Sequence, residues 1–274
     1  MDSSPGPYLR CPAVSGQFYY GTAPRLKSQV EQYVVKGTAR EKVIGIISPH
    51  AGLMYSGHVA GAVYSSVEFP ETFVMLGPNH TGLGASVSIM SSGRWEIPTG
   101  TLSIDEDLSR NIMGKSPLVT EDIQAHVFEH SLEVQLPFIS YFSDRARIVP
   151  ITVLSASLKE CEEIGKGIAG AIKESGYNVV MVASSDMSHY VSDADARKLD
   201  GLAIKEILDL NPEGLYNTVL MKGISMCGFI PVTIMLFAAK TLAAKEARLV
   251  KYATSGDVSG DYDHVVGYAG VLIK

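Results

Sequence analysis

Seven stretches rich in valine and isoleucine recur along this chain, separated by segments with helical spacing, and that alternation limits the folds open to it. The strand candidates are residues 43–48, 72–77, 85–90, 147–154, 178–184, 248–255 and 265–273. Helices are expected at 23–35, 56–66, 105–113, 130–142, 158–174, 194–208, 212–221 and 229–247. Most of the runs are continuously apolar rather than alternating, as in a strand with two buried faces. The expected fold class is therefore α/β, a three-layer α/β/α sandwich around a central, largely covered mixed sheet. No repeat or Pro/Gly-rich linker interrupts the 274 residues, so one domain spanning 1–274 is expected.

In such sheets ligands gather beyond the carboxyl ends of the strands, which makes the residues just after each apolar run the first place to look for chemistry. Three runs end alike: Ile46-Ile47-Ser48-Pro49-His50, Val74-Met75-Leu76-Gly77-Pro78-Asn79-His80 and Met181-Val182-Ala183-Ser184-Ser185-Asp186-Met187-Ser188-His189. If these strands are neighbours, the imidazoles converge on one rim, and neutral imidazole is the commonest protein metal ligand. Alone, each histidine would more often be a hydrogen-bonded structural residue than a ligand, and three in equivalent positions shift that balance. Pro49 and Pro78 suit rigid turns that aim the next side chain, or ordinary strand stops.

Cys227 precedes a long apolar helix, where the helix terminus would lower its pKa and fit it as a ligand or nucleophile. The alternative is a small buried hydrophobe. Cys11 and Cys161 look like bystanders. Asp186, Glu129 and His130 are proton-transfer candidates, although the Ser/Glu spacing after Glu129 also fits a helix cap. His58 and His264 have no comparable position.

Composition narrows the partners. With 23 basic and 29 acidic residues and a net charge of −6, the chain lacks the excess that phosphate neutralisation needs, so no nucleic acid is expected. Three cysteines in so long a chain suggest reduced thiols and a cytoplasmic location, and residues 1–8 do not read as a signal peptide. The greasiest stretch, residues 228–239, falls short of the roughly 20 apolar residues that span a bilayer.

Ordered blocks covering nearly the whole chain resemble the Memo family, named for a mediator of receptor-driven cell motility in animals. They are Arg10-Cys11-Pro12-Ala13-Val14-Ser15-Gly16-Gln17-Phe18-Tyr19, Ser48-Pro49-His50-Ala51-Gly52-Leu53-Met54-Tyr55-Ser56-Gly57, Gly77-Pro78-Asn79-His80 and Glu129-His130-Ser131-Leu132-Glu133. Ser185-Asp186-Met187-Ser188-His189-Tyr190, Met226-Cys227-Gly228 and Thr254-Ser255-Gly256-Asp257-Val258 follow. The resemblance implies a LigB-like fold similar to the class III extradiol dioxygenases, where two histidines and a carboxylate hold non-haem iron. It puts His50, His80 and Cys227 in the ligand places, the cysteine replacing the carboxylate, with Asp186 and His189 beside them. Tyr55 and the Phe18–Tyr19 pair would crowd the mouth, with Glu129, His130 and Tyr190 also in the pocket.

A His₂Cys set is softer than a His₂-carboxylate set, so copper or iron is expected, and zinc would bring Lewis-acid rather than redox work. On this view the chain is a metal-dependent oxidoreductase in which His189 acts as acid or base and Asp186 orients it. Two rivals stand beside it: a non-catalytic module holding a peptide or partner on the same scaffold, and a hydrolase using a Cys227 thiolate activated by His189 or a bound zinc. The partner would be a small molecule or peptide, or the AMMECR-type or radical-enzyme proteins that accompany the family.

Overall fold

The central strands of the sheet come from the most apolar runs, and their side chains divide by parity between two cores. Ile47, Val74, Leu76, Met181 and Ala183 pack on one face, whereas Ile46, Phe73, Met75, Val180 and Val182 pack on the other. Strands of period two with both faces apolar need a layer of helices on each side. The computed structural model describes residues 8–274 and has that form. The amino-terminal residues read above for a signal peptide lie, up to residue 7, outside the described residues.

Among the described residues the sheet has nine strands. Its order is His189–Val191, Val265–Ile273, Gly45–Ser48, Val179–Ser184, Thr72–Pro78, Arg147–Val153, Val87–Ile89 and Thr120–Glu121, with Ala247–Thr254 also pairing to Val265–Ile273. The four central strands, Gly45–Ser48 through Arg147–Val153, run parallel, and antiparallel strands flank them. The mixed-sheet α/β/α expectation is met. Helices Leu158–Ser175 and Phe229–Thr241 cover the first face, and Ala23–Tyr33, Leu53–Ser65 and Leu136–Phe142 the second. Among the described residues no helix is long and apolar enough to cross a membrane.

Three differences from the expected elements have physical causes. The helix expected over 229–247 stops at Thr241, because Ala243 turns at φ +67° and Glu246 exchanges backbone hydrogen bonds with Lys274, which starts the Ala247–Thr254 strand. Sheet pairing overrides the helical propensity of that alanine- and lysine-rich stretch. The helix expected over 130–142 begins at Leu136, after a 3₁₀ turn at Glu133–Gln135. A small sheet of Leu9–Arg10, Arg94–Ile97 and Gly100–Ser103 was not anticipated, since its hairpin is largely polar and only Trp95, Ile97 and Leu102 are buried.

One buried ion pair ties that small sheet to the rest. The Arg10 guanidinium lies over the Trp95 ring at 4.2 Å, donates to the carbonyls of His126 (3.0 Å) and Glu129 (2.6 Å), and pairs with Glu133. Glu133 also accepts the Ala13 and Val14 amides at 2.7 and 3.0 Å and the Tyr19 hydroxyl at 2.6 Å. Removing one partner of such a pair leaves a buried charge uncompensated. Glu133→Gln is expected to cost about 3–5 kcal/mol in denaturant unfolding at neutral pH. Glu162→Gln, which breaks the exposed pair with Lys166, should cost no more than about 0.5 kcal/mol.

His126 sets an acid limit on stability. Its ring is buried edge-on to Trp95, and neither nitrogen has a hydrogen-bond partner among the described residues. Burial, and next the Arg10 charge, push its pKa from 6.5 down to about 3. The folded state therefore binds this proton more weakly than the unfolded chain, so the contribution is intact above pH 6.5 and is lost as pH falls towards about 3. His126→Leu should leave stability at neutral pH nearly unchanged and flatten the acid limb of unfolding midpoint against pH.

Candidate metal centre

The three parallel strands that end in histidine motifs are neighbours. Ser48 is in register with Ser184, and Ile47 and Leu76 both pair with Ala183, so the chain segments carrying His50, His80 and Asp186 leave the sheet along one edge. Ser184 then fixes the His50 ring. Its hydroxyl donates to the Ser131 carbonyl at 2.7 Å, which leaves its oxygen to accept from Gln135 Nε2 at 2.8 Å and His50 Nδ1 at 2.9 Å. His50 therefore carries its proton on Nδ1 and turns an Nε2 lone pair into the site. The residue is 1% exposed, and burial, followed by His130 and His80, pushes its pKa well below the ordinary value.

Glu129 does the same for His80. This fully buried carboxylate can only accept, so the 2.9 Å contact with His80 Nδ1 places the imidazole proton there and frees Nε2. Glu129 also accepts the amides of His80, of His130 at 2.9 Å and of Ser131 at 2.8 Å. Burial pushes its carboxyl pKa up, but the His80 side chain and these amides outweigh that and hold it at about 2. Ser131, a possible helix cap by spacing, instead donates to the Pro78 carbonyl at 2.8 Å, so the capping alternative is not realised.

The His130 ring stacks on His80 with centroids 4.6 Å apart and stands edge-on to His50 at 5.5 Å. Among the described residues, His50, His80 and His130 offer ligating nitrogens that all lie within 4.8 Å of one another. His130, expected only as a proton-transfer or pocket residue, thus belongs to the convergent set. Its signal in the sequence was adjacency to Glu129.

Cys227, expected as the third ligand beside His50 and His80, is not in this convergent set and lies against His50 alone of the three imidazoles. Its sulfur lies 3.2 Å from His50 Nε2 and 3.3 Å from the Asp186 amide, which donates to it. The expectation of a thiol pKa lowered by the helix terminus is overturned: burial, and then the Asp186 charge, push it up. The Gly228 amide at the helix start is spent on Ser185 Oγ at 3.0 Å, and a Cβ at Gly228 would meet the Ser184 carbonyl at 2.4 Å. Only glycine permits the approach that brings Cys227 to the sheet edge.

Asp186 and His189 are both at the rim but hold other partners. Asp186 Oδ1 accepts the amides of His50 (2.8 Å) and Ala51 (3.3 Å), and burial pushes its pKa up against them. It fixes the His50 turn; no hydrogen bond joins it to His189. His189 Nδ1 meets the Ser225 carbonyl at 2.9 Å, which places a proton on Nδ1. A nucleophilic pair needs Cys227 and His189 in hydrogen-bond reach, and the hydrogen bonds of the sulfur go to His50 and Asp186 instead.

Of the mouth residues, Phe18 is half-buried and edge-on to His130 at 4.8 Å, and Tyr55 packs against the small buried cluster of Val59, Ala253 and Tyr268. Tyr19 is 2% exposed and bonded to Glu133, so it belongs to the core rather than the mouth. Tyr190 is 76% exposed and sits at φ +57° on a bulged strand beside His189. Arg10, Ser184 and Gln135 support the site without having been singled out for a role. Their residue types carry no ligand signal, and only the fold brings them there.

The chain matches the Memo-like protein family model over residues 10–272. It is 41% identical over 268 residues to a MEMO1 family protein of Methanosarcina mazei, covering 97% of this chain and 99% of the relative. A MEMO1 family protein of Methanocaldococcus jannaschii is 42% identical over 286 residues, with the same coverage. One of Methanothermobacter thermautotrophicus is 39% identical over 273 residues, covering 95% and 99%. An uncharacterized protein from Escherichia coli K12 has a similar structure, with TM-score 0.59 at 13% identity over 84% of this chain and all of that one, a likeness of fold alone.

The donor set fits a transition metal: three imidazoles, those of His50 and His80 with their far sides tied down, and a thiol beside His50. Because Glu129 orients His80 and shapes the His130 turn, Glu129→Gln should weaken zinc binding by about 10–100-fold in a chelator competition while the far-ultraviolet circular dichroism stays unchanged.

Proposed function

The chain belongs to the Memo-like protein family, and from that premise we propose that it is a metal-dependent oxidoreductase whose mononuclear centre is held by His50, His80 and His130, with Cys227 as the soft donor beside His50. The observation that carries this is the convergence of three imidazoles, with the Nδ1 positions of His50 and His80 locked by Ser184 and Glu129. A nitrogen set with one sulfur suits copper or iron, and zinc as a redox-inert substitute. When bound, such a metal supplies one-electron or oxygen chemistry.

The chain's own residues do the rest. Ser184 and Glu129 orient the rings, Asp186 holds the turn behind His50, and His189 presents Nε2 at the rim where it can take or give a proton. A reducing cytoplasm suits this reading, since Cys227 must stay a thiol. The substrate is a small molecule or peptide.

Exposure of Phe128 (67%) and Tyr190 (76%), each next in sequence to a site residue or one removed, favours a second reading in which the pocket holds a partner protein without turnover. Titration of the purified apo-protein with Cu(I), Fe(II) and Zn(II) tests the first. One tightly bound equivalent is expected, with affinity falling at least about 100-fold in His50→Ala and His80→Ala, beyond the usual loss from a supporting residue. Smaller losses are expected for His130→Ala and Cys227→Ser, and the Cys227→Ser loss should be larger for copper than for zinc. Unchanged affinity in both His50→Ala and His80→Ala would sink the metal reading.

A further inference from the structure

A cleft of about 310 Å³ has Phe18, Gln29, Tyr33, Met54 and Tyr55 in its walls. Its size is that of a small-ligand site. Phe18 is the wall it shares with the centre: the ring lies 4.8 Å from that of His130, and its carbonyl accepts the Leu53 amide at 2.7 Å, just past the His50 turn. Aromatic faces and the Met54 thioether favour a flat, polarizable guest.

Two observations define its polarity. No acidic or basic residue is among the described residues lining it, so a charged guest would lose hydration without gaining a counter-charge. The Arg25 guanidinium, stacked 4.1 Å over the Tyr20 ring, is exposed and outside the lining, so solvent screens it and it favours neither sign of guest. Gln29 is only 8% exposed, and its Oε1 accepts the Tyr20 amide at 3.0 Å. Its Nε2 carries two hydrogens, of which the neighbouring Tyr33 hydroxyl can accept one. The second hydrogen remains to donate into the cleft, and a guest with an acceptor there can take it.

The Tyr33 wall is built for this approach. A Cβ at Gly57 would lie 2.5 Å from the Tyr33 ring, and one at Gly61 would lie 2.2 Å from its carbonyl oxygen, so two glycines of helix Leu53–Ser65 let Tyr33 lie flat against it. We propose that this cleft binds the uncharged, planar part of an organic ligand, an aromatic ring bearing a carbonyl acceptor, with Gln29 as the donor and Phe18 separating it from the imidazoles. The inference rests on the metal-centre reading only for what the ligand's other end would meet.

The test is an NMR titration of the full chain with benzamide, benzoate and benzylammonium, beside a zinc titration of the same samples. Benzamide should perturb Phe18, Gln29 and Tyr33, and the two charged analogues should not. Gly57→Ala, whose Cβ displaces the Tyr33 ring from its place in the wall, and Gln29→Glu, which keeps the acceptor for Tyr20 but loses the donor, should each weaken benzamide by about five- to tenfold or more. Gln29→Glu should also improve benzylammonium, a reversal that misfolding cannot produce, with zinc affinity unchanged in both variants. Equal binding of benzamide and benzoate, or benzamide binding untouched by both substitutions, overturns the proposal. Zinc binding without benzamide binding also overturns it and spares the metal centre; benzamide binding without zinc supports the cleft and removes the metal centre.

Discussion

The side-by-side parallel pairing of Gly45–Ser48, Val179–Ser184 and Thr72–Pro78 is the constraint on which the rest of the molecule depends. Parallel neighbours end on the same edge, so residues the same short distance past each strand are delivered to one rim whatever their separation in sequence. The pairing holds because each strand is apolar on both faces and each face has its own helical layer to bury against. A strand shifted by one residue would exchange its two faces and misplace the histidines together.

Around that rim, buried carboxylates are held by directed protein donors. Glu129 accepts three amides and one imidazole, Glu133 two amides, a phenol and a guanidinium, and Asp186 two amides. A carboxylate taken out of water is tolerable only with such compensation, and the compensation fixes the backbone that supplies it. Glu129 fixes the His80 and His130 turns, Asp186 the His50 turn, and Glu133 the segment that leads to Phe18. The imidazoles therefore sit on loops that are as constrained as secondary structure, which is what a coordination site requires.

The apolar runs, and the histidines placed after them, were legible because burial leaves a direct mark on composition and period. The strand expected at 265–273 is Val265–Ile273, and most other runs lie within a few residues of their strands. Family resemblance put His50, His80 and Cys227 in the ligand places, and for Cys227 strand-end position supplies no such correspondence. Less was legible where one residue type serves several ends. Tyr19 reads as a mouth aromatic yet is a core hydrogen-bond donor, and Glu129 reads as an acid or base yet is wrapped by amides. The Cys227 thiol lies next to a helix start, but its pKa follows burial and the Asp186 charge, neither of which is visible locally.

By itself, then, the sequence determined the layered α/β fold, because strands with two apolar faces admit few other packings, and it placed His50, His80 and His189 after strands that could share an edge. Only the tertiary structure decided that His130 stacks on His80, that Ser184 and Glu129 choose the ring nitrogens that face inward, and that Cys227 meets His50. Those outcomes depend on distances of a few ångströms between residues up to 177 positions apart, set by strand order and register, which no local pattern encodes.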